Sequence, residues 1–215
     1  YTGDVWDFYA GDAQAEESLP VGVVLTIPAA GSESSTSSVI TNEDGWLKRG
    51  YGETIMRPKF AFMNPELTYS LPAYQTACGV ADMMAHVMER YFTNEKEVGF
   101  TDHLCEATLR SIMQEAPLAI AEPENYGARA NIMWAGTIAH NDLLGTGRLG
   151  DWASHDIEHE LSALYDVAHG AGLAIVFPAW MKYVYKHDPA RFVQFAVRVF
   201  GVEQNFQNPP FRGFL

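Results

Sequence analysis

Cysteine and positive charge are the two things this chain has least of. Its 215 residues include two cysteines, Cys78 and Cys105, too few for a disulfide framework and without the Cys-x-x-Cys spacing of a redox or zinc motif. A reducing, cytoplasmic compartment is the expectation that follows. Lys and Arg number 14 against 27 Asp and Glu, a formal net charge of −13. Phosphate-bearing partners need clustered cations, so neither a nucleic-acid nor a membrane partner is expected. No apolar run reaches the roughly 18 residues that a spanning helix needs. The first residues, Tyr1-Thr2-Gly3-Asp4-Val5-Trp6, lack the basic-then-apolar order of a secretory signal. Internal repeats are also missing.

What is present is ordinary globular material, 47% apolar, whose period changes along the chain. The β-branched run 21–27, between Pro20 and Pro28, predicts a buried strand. Residues 28–38 form a small, hydroxyl-rich turn. Such a turn suits a phosphate or a flexible linker, and composition slightly favours the linker. A short strand at 39–41, a turn at 42–45 and a strand at 59–63 follow. From Pro72 the period becomes helical. Helices are predicted over 72–91, over 98–118 ending near Pro117, and from 124 through 138. Asp151 reads as the N-cap of the next helix. Residues 170–185 are apolar almost all round and predict a buried helix. Asp188-Pro189 reads as cap and first position of a last helix stopped at Gly201. Residues 209–215 are loop-like, and both ends of the chain read as cut. The shift near residue 70 is the candidate domain boundary, giving 1–68 and 69–215.

The chemistry-bearing stretch runs from Trp152 to Gly170 and holds His155, His159 and His169. His155 and His159 are four apart and share a helix face; such a pair is commonly a solvated surface feature. His169 follows ten residues after His159, so a turn and a second helix can return it beside His155. Earlier, Asp82 and His86 form another i,i+4 pair, set among Val80, Met83, Met84 and Val87. A carboxylate in so apolar a helix needs a compensating cation or donor. Asp82, His86, His155 and His169 together offer one oxygen and three nitrogens, a set that suits Fe²⁺ or Zn²⁺. His103 and His140 lack a matching carboxylate, and His187 sits in a cap-like His-Asp-Pro, so these three read as uninvolved.

Four stretches carry a resemblance: Thr26-Ile-Pro-Ala-Ala-Gly31-Ser32-Glu33-Ser34, Asn64-Pro-Glu-Leu-Thr68, Gly79-Val-Ala-Asp82-Met-Met-Ala-His86, and Asp151 through Gly170. With them the chain resembles the iron-containing (group III) alcohol dehydrogenases, and within these the NADPH-dependent butanol dehydrogenase or aldehyde reductase branch. The resemblance implies an α/β nucleotide-binding portion followed by an all-helical metal-binding domain, the dehydroquinate synthase-like fold, here the middle of a longer enzyme. It implies that Asp82, His86, His155 and His169 are the metal ligands. His159 matches a further active-site histidine near substrate and nicotinamide. Thr26, Ser35, Lys48 and Leu67 fall along the nucleotide cleft. The implied cofactors are a divalent metal and NADP(H) in preference to NAD(H), with a small alcohol or aldehyde as substrate and a homodimer as assembly. Two departures stand out: the family's glycine-rich pyrophosphate loop has no counterpart in this chain, and Ala30 stands where many members carry Thr.

The implied reaction is hydride transfer between NAD(P)H and a carbonyl held by the metal. His159 serves either as a proton relay or as a hydrogen-bond partner of the metal site. The same ligand set also activates water in metal-dependent hydrolases. A non-catalytic metal-binding helical partner is a third reading.

Overall fold

In the computed structural model residues 1–203 are described; the loop-like reading of 209–215 lies outside them. After a short helix α1 (Trp6–Ala10) come strands β1 (Gly22–Val24), β2 (Ser37–Asn42), β3 (Leu47–Gly52) and β4 (Phe60–Phe62). They make two separate pairs. β1 and β4 are parallel, with Val23 opposite Ala61, whereas β2 and β3 form an antiparallel hairpin with Val39 opposite Gly50.

The strand read at 21–27 is shorter than expected and is not buried, since Val24 is 57% exposed. A β-branched run signals strand formation, but only neighbouring layers bury it, and β1 pairs with β4 alone among the described residues. β3 was not foreseen. Lys48, Arg49, Gly50 and Gly52 break any apolar alternation, and the strand exists through its ladder to β2. The hydroxyl-rich turn is docked rather than a linker. The Ser34 and Ser35 amides close onto the Gly31 carbonyl, and buried Glu33 accepts a hydrogen bond from Thr137 at 2.8 Å.

From residue 73 the chain is helical: α2 (Ala73–Tyr91), α3 (Gly99–Ala121), α4 (Tyr126–His140), α5 (Ala153–Tyr165), α6 (His169–Val184) and α7 (Pro189–Phe200). α2 is the central rod, packed on α3, α4 and α6. Its Met83, Val87 and Tyr91 meet Leu109 and Ile112 of α3, Leu173 and Phe177 of α6 and Phe195 of α7 in one apolar core. α3 does not end near Pro117 but carries it internally. The proline forfeits one backbone hydrogen bond, while buried Ala116 and Ala119 hold the last turn against the core. α6 is likewise not buried all round, with Ile175 72% and Tyr183 87% exposed. It packs on α2 and α5, and composition counts apolar residues without counting their neighbours. α7 starts as expected, Asp188 accepting from the Arg191 amide, and stops at Gly201, whose φ of 68° completes a left-handed C-cap.

Among the described residues no helix is long and apolar enough to cross a membrane.

Candidate metal centre

Asp82 and His86 lie one turn apart on the face of α2 that looks toward α5 and α6. α5 delivers His155 in its first turn and His159 one turn later, and α6 opens on His169. The loop between α5 and α6 is short because Asp166 turns the chain at φ 53°. At the other end of α5 the expected cap is displaced by one residue. Trp152, at φ 61°, holds the N-cap position without a side-chain cap. A carboxylate from another helix satisfies an amide of that same first turn: Glu89 Oε1 on α2 accepts from the His155 amide at 3.1 Å.

The side chains converge on one point. Donor atoms of Asp82, His155 and His169 all lie within 4.8 Å of one another. Nε2 of His155 and Nε2 of His169 stand 3.8 Å and 3.7 Å from Asp82 Oδ1. His86 joins from the side, its Nδ1 lying 3.0 Å from Asp82 Oδ1 and 3.2 Å from His155 Nε2. Asp82 Oδ1 is buried, and although His86 Nδ1 lies 3.0 Å away no donor meets it in hydrogen-bond geometry. A buried carboxylate oxygen left in that state is costly, and a divalent cation among these donors would satisfy it. The residues present therefore fit a metal ion of the nitrogen- and oxygen-binding class.

The electrostatics agree with the geometry. Burial pushes the Asp82 carboxyl up, but the imidazoles of His155, His86 and His169 outweigh it and hold the group well below the usual carboxylate range. Burial lowers His86 despite Asp82 beside it. His155 is also pushed down by burial, yet Asp82 and Glu89 reverse the sign and raise it. His159 is pushed down to about 4, by burial first and then by His169, Lys48 and His155. It is neutral at pH 7 and able to accept a proton.

Two buried glutamates and one histidine near this point were missed in the sequence. Glu89 Oε1 also contacts His155 Nδ1, at 3.0 Å. Glu158, on α5, bonds His169 Nδ1. Their signal was available: Glu89 follows His86 by three and Asp82 by seven, and Glu158 follows His155 by three, so each shares a helix face with a candidate ligand. His140, read as uninvolved, has its ring centroid 3.9 Å from that of His86. It is buried at the end of α4 and bonds the Ala29 carbonyl of the docked turn. Its neighbours come from distant segments, so no local pattern marks it. His103 is exposed and His187 pairs with Asn94, both away from the cluster.

The cleft residues divide. Lys48 reaches α5, its Nζ donating to Ser162 Oγ at 2.7 Å and standing 3.9 Å from Glu158 Oε2. Thr26 is exposed just beyond β1, and Leu67, 42% exposed, lies in the 3₁₀ turn Pro65–Thr68 beyond β4. Both therefore leave the carboxyl ends of parallel neighbours, where open α/β sheets bind ligands. Ser35 is in the docked turn, its hydroxyl taking the Ser37 amide at 3.0 Å.

Comparison with known proteins bears on the same residues. The family model described as iron-containing alcohol dehydrogenase matches residues 1–65. Its companion, the C-terminal part of the Fe-containing alcohol dehydrogenase family, matches residues 76–209. The chain belongs to the iron-containing alcohol dehydrogenase family. Its relatives in that family include NADH-dependent butanol dehydrogenase B of Clostridium acetobutylicum, 42% identical over 95% of this chain and 53% of that protein. The NADPH-dependent aldehyde reductase of Escherichia coli is 38% identical over 94% of this chain and 52% of its own length. Among solved structures, NADH-dependent butanol dehydrogenase A from Thermotoga maritima superposes with a TM-score of 0.91 at 47% identity, over 94% of this chain and 51% of that one. The chain thus spans about half the length of the curated relatives it matches.

Proposed function

We propose that this chain is part of a metal-dependent alcohol dehydrogenase or aldehyde reductase, moving a hydride between a nicotinamide nucleotide and a small alcohol or aldehyde. The observation that carries the reading is the buried Asp82 Oδ1, met by no donor in hydrogen-bond geometry yet faced by Nε2 of both His155 and His169 and by Nδ1 of His86. Asp82, His86, His155 and His169 would hold the ion, Fe²⁺ or Zn²⁺. Residues 1–68 would belong to an α/β nucleotide-binding domain, with Thr26, Ser35, Lys48 and Leu67 along its cleft, and 69–215 to a helical metal-binding domain. The assembly would be a homodimer.

When bound, the metal supplies Lewis acidity toward the substrate oxygen and the nicotinamide supplies or takes the hydride. The rest is the work of the side chains. Asp82 contributes a carboxylate that stays ionised, since its neighbours hold its pKa low. His159, neutral at pH 7, is the base able to take the alcohol proton at a ring nitrogen. With its pKa at about 4, the limb it imposes on a pH profile falls in the acid range, below the unperturbed imidazole value. Lys48 contributes a cation at the junction of cleft and metal centre.

The sequence reading favoured NADP(H). Of the relatives, the butanol dehydrogenases are named NADH-dependent and the aldehyde reductase NADPH-dependent, so both nucleotides belong in the assay. Purified protein is analysed for metal, then given a short-chain aldehyde with NADH or NADPH, and an ester and a phosphate ester in parallel. One divalent ion per chain and loss of reduced-nicotinamide absorbance are expected. Ester hydrolysis without nicotinamide oxidation would move the reading to a hydrolase. Near-stoichiometric metal surviving in the His155→Ala, His169→Ala double variant would refute the ligand set. His159→Gln is expected to keep the metal and lower turnover by about 10²-fold or more, as general acid–base groups do; a change below about threefold would leave it a scaffold.

A further inference from the structure

We infer that Glu89 and Glu158 are positioning residues of the metal centre, each gripping the Nδ1–H of one imidazole so that both rings turn Nε2 toward Asp82 Oδ1. The inference rests on the metal-centre reading above and adds to it two residues outside the ligand set. Both glutamate side chains are fully buried. Glu89 Oε1 lies 3.0 Å from His155 Nδ1 and also takes the His155 amide, which fixes the ring and its backbone together. Glu158 bonds His169 Nδ1 from the adjacent helix. A carboxylate accepts and does not donate, so each contact specifies the tautomer with hydrogen on Nδ1 and the lone pair on Nε2. Those are the two nitrogens that stand 3.8 Å and 3.7 Å from Asp82 Oδ1.

The surroundings are built for this. Gly172 on α6 leaves the space that Glu158 fills, since a Cβ there would lie 2.4 Å from Glu158 Oε1. Lys48 Nζ, 3.9 Å from Glu158 Oε2, offsets part of its charge. That lysine also argues against a different reading, in which Glu158, His159 and His169, whose donor atoms likewise lie within 4.8 Å of one another, hold a second cation of their own. A cation there would face an ammonium group. Carboxylates behind metal-binding imidazoles orient the ring and raise its basicity, and burial makes both effects stronger.

The test uses the full chain, with Co²⁺ as a spectroscopic probe and a competing chelator, in wild type and in Glu158→Leu, Glu158→Gln, Glu89→Leu and Glu89→Gln. Two further readouts are the melting temperature of the metal-free proteins and nitrogen NMR of labelled histidine in metal-free wild type. The Leu variants are expected to lose about 10–100-fold in Co²⁺ affinity. The Gln variants should recover part of that loss, because an amide oxygen still accepts from Nδ1–H. A purely structural role would instead make affinity follow melting temperature, with no distinction between Gln and Leu. Wild-type affinity in both Gln and Leu variants at either position would overturn the inference. An Nε2–H tautomer at His155 or His169 in the metal-free wild type would do the same without any variant having to fold. Two Co²⁺ ions per chain would overturn it too, making Glu158 a ligand. Absence of Co²⁺ binding by wild type with both Nδ1–H tautomers intact would sink the metal-centre reading while supporting the carboxylate–imidazole pairing.

Discussion

The strand-bearing portion up to Phe62 and the helical portion from Ala73 are made differently. Of the buried apolar side chains, the first portion contributes Leu25 and Pro28; apart from the connecting Pro65, the others begin at Cys78. All seven histidines also lie in the second portion, from His86 onward. The contacts joining the two mix close packing of Pro28, Ala29 and Gly31 against Gly79, Gly136 and His140 with polar links: Glu33 to Thr137, Lys48 to Ser162, Arg49 to Glu160 and Arg57 to Asp142. The helical portion thus carries the main apolar core and all the histidines, and the first portion is attached to it by the packed 28–31 turn together with hydrogen bonds and ion pairs.

That contrast can be broken most severely at Gly170. A Cβ there would lie 2.0 Å from the Cys78 backbone carbonyl, where α6 crosses α2 and neither backbone has room to retreat. Gly170→Ala is expected to cost about 4 kcal/mol or to abolish folding. It would also pull His169 from Asp82, so metal content should fall with it; urea denaturation and elemental analysis read both. A variant as stable as wild type would mean the helices do not approach so closely.

Next in size is Leu109→Ala, fully buried in α3. The loss of packing and the cavity left behind cost about 3 kcal/mol. The denaturant midpoint followed by far-ultraviolet circular dichroism should drop accordingly. If the strands depend on the helical core as argued, the fluorescence of Trp46 should change at the same lowered midpoint. A Trp46 transition unmoved by the substitution would show the first portion folding by itself.

Acid should separate the portions as well, because only the helical one holds histidines. Burial lowers His140 well below its ordinary value, and His86 and His159 are lowered too, the last to about 4. The sign follows from linkage. Below the unfolded value of about 6.5 the unfolded chain binds protons that these folded imidazoles refuse. Stability therefore falls as pH drops from about 6.5 toward the folded values. His155, raised by Asp82 and Glu89, works the other way: its contribution is present at low pH and lost as pH rises through its folded value. Three lowered groups against one raised give a net loss on acidification. In metal-free protein, His140→Gln should lower the urea midpoint at pH 7.5 and flatten its decline toward pH 5. A decline as steep as in wild type would remove His140 from the account.

The smallest effect belongs to the polar links between the portions. Arg49 and Glu160 pair at 2.6 Å, with side chains 41% and 51% exposed. Arg49→Ala should cost no more than about 1 kcal/mol, and less still at high salt. A loss of several kcal/mol would mean that this ion pair holds the molecule together more strongly than the contrast allows.

Local pattern alone determined the helices from residue 73 onward, the cap at Asp188, the stop at Gly201 and the spacings that pair Asp82 with His86 and His155 with His159. Those follow from short-range sterics, capping and period, which neighbours in sequence dictate. The ladder that makes β3, the persistence of α3 through Pro117 and the exposed side of α6 depended on which elements lie alongside. So did the docking of the hydroxyl-rich turn onto α4 and the contact of His140 with His86. The same holds for the meeting of Glu89 with His155. Burial and partnership are set by segments far apart in the chain, and the energy of a buried carboxylate or imidazole exists only once packing has removed its water.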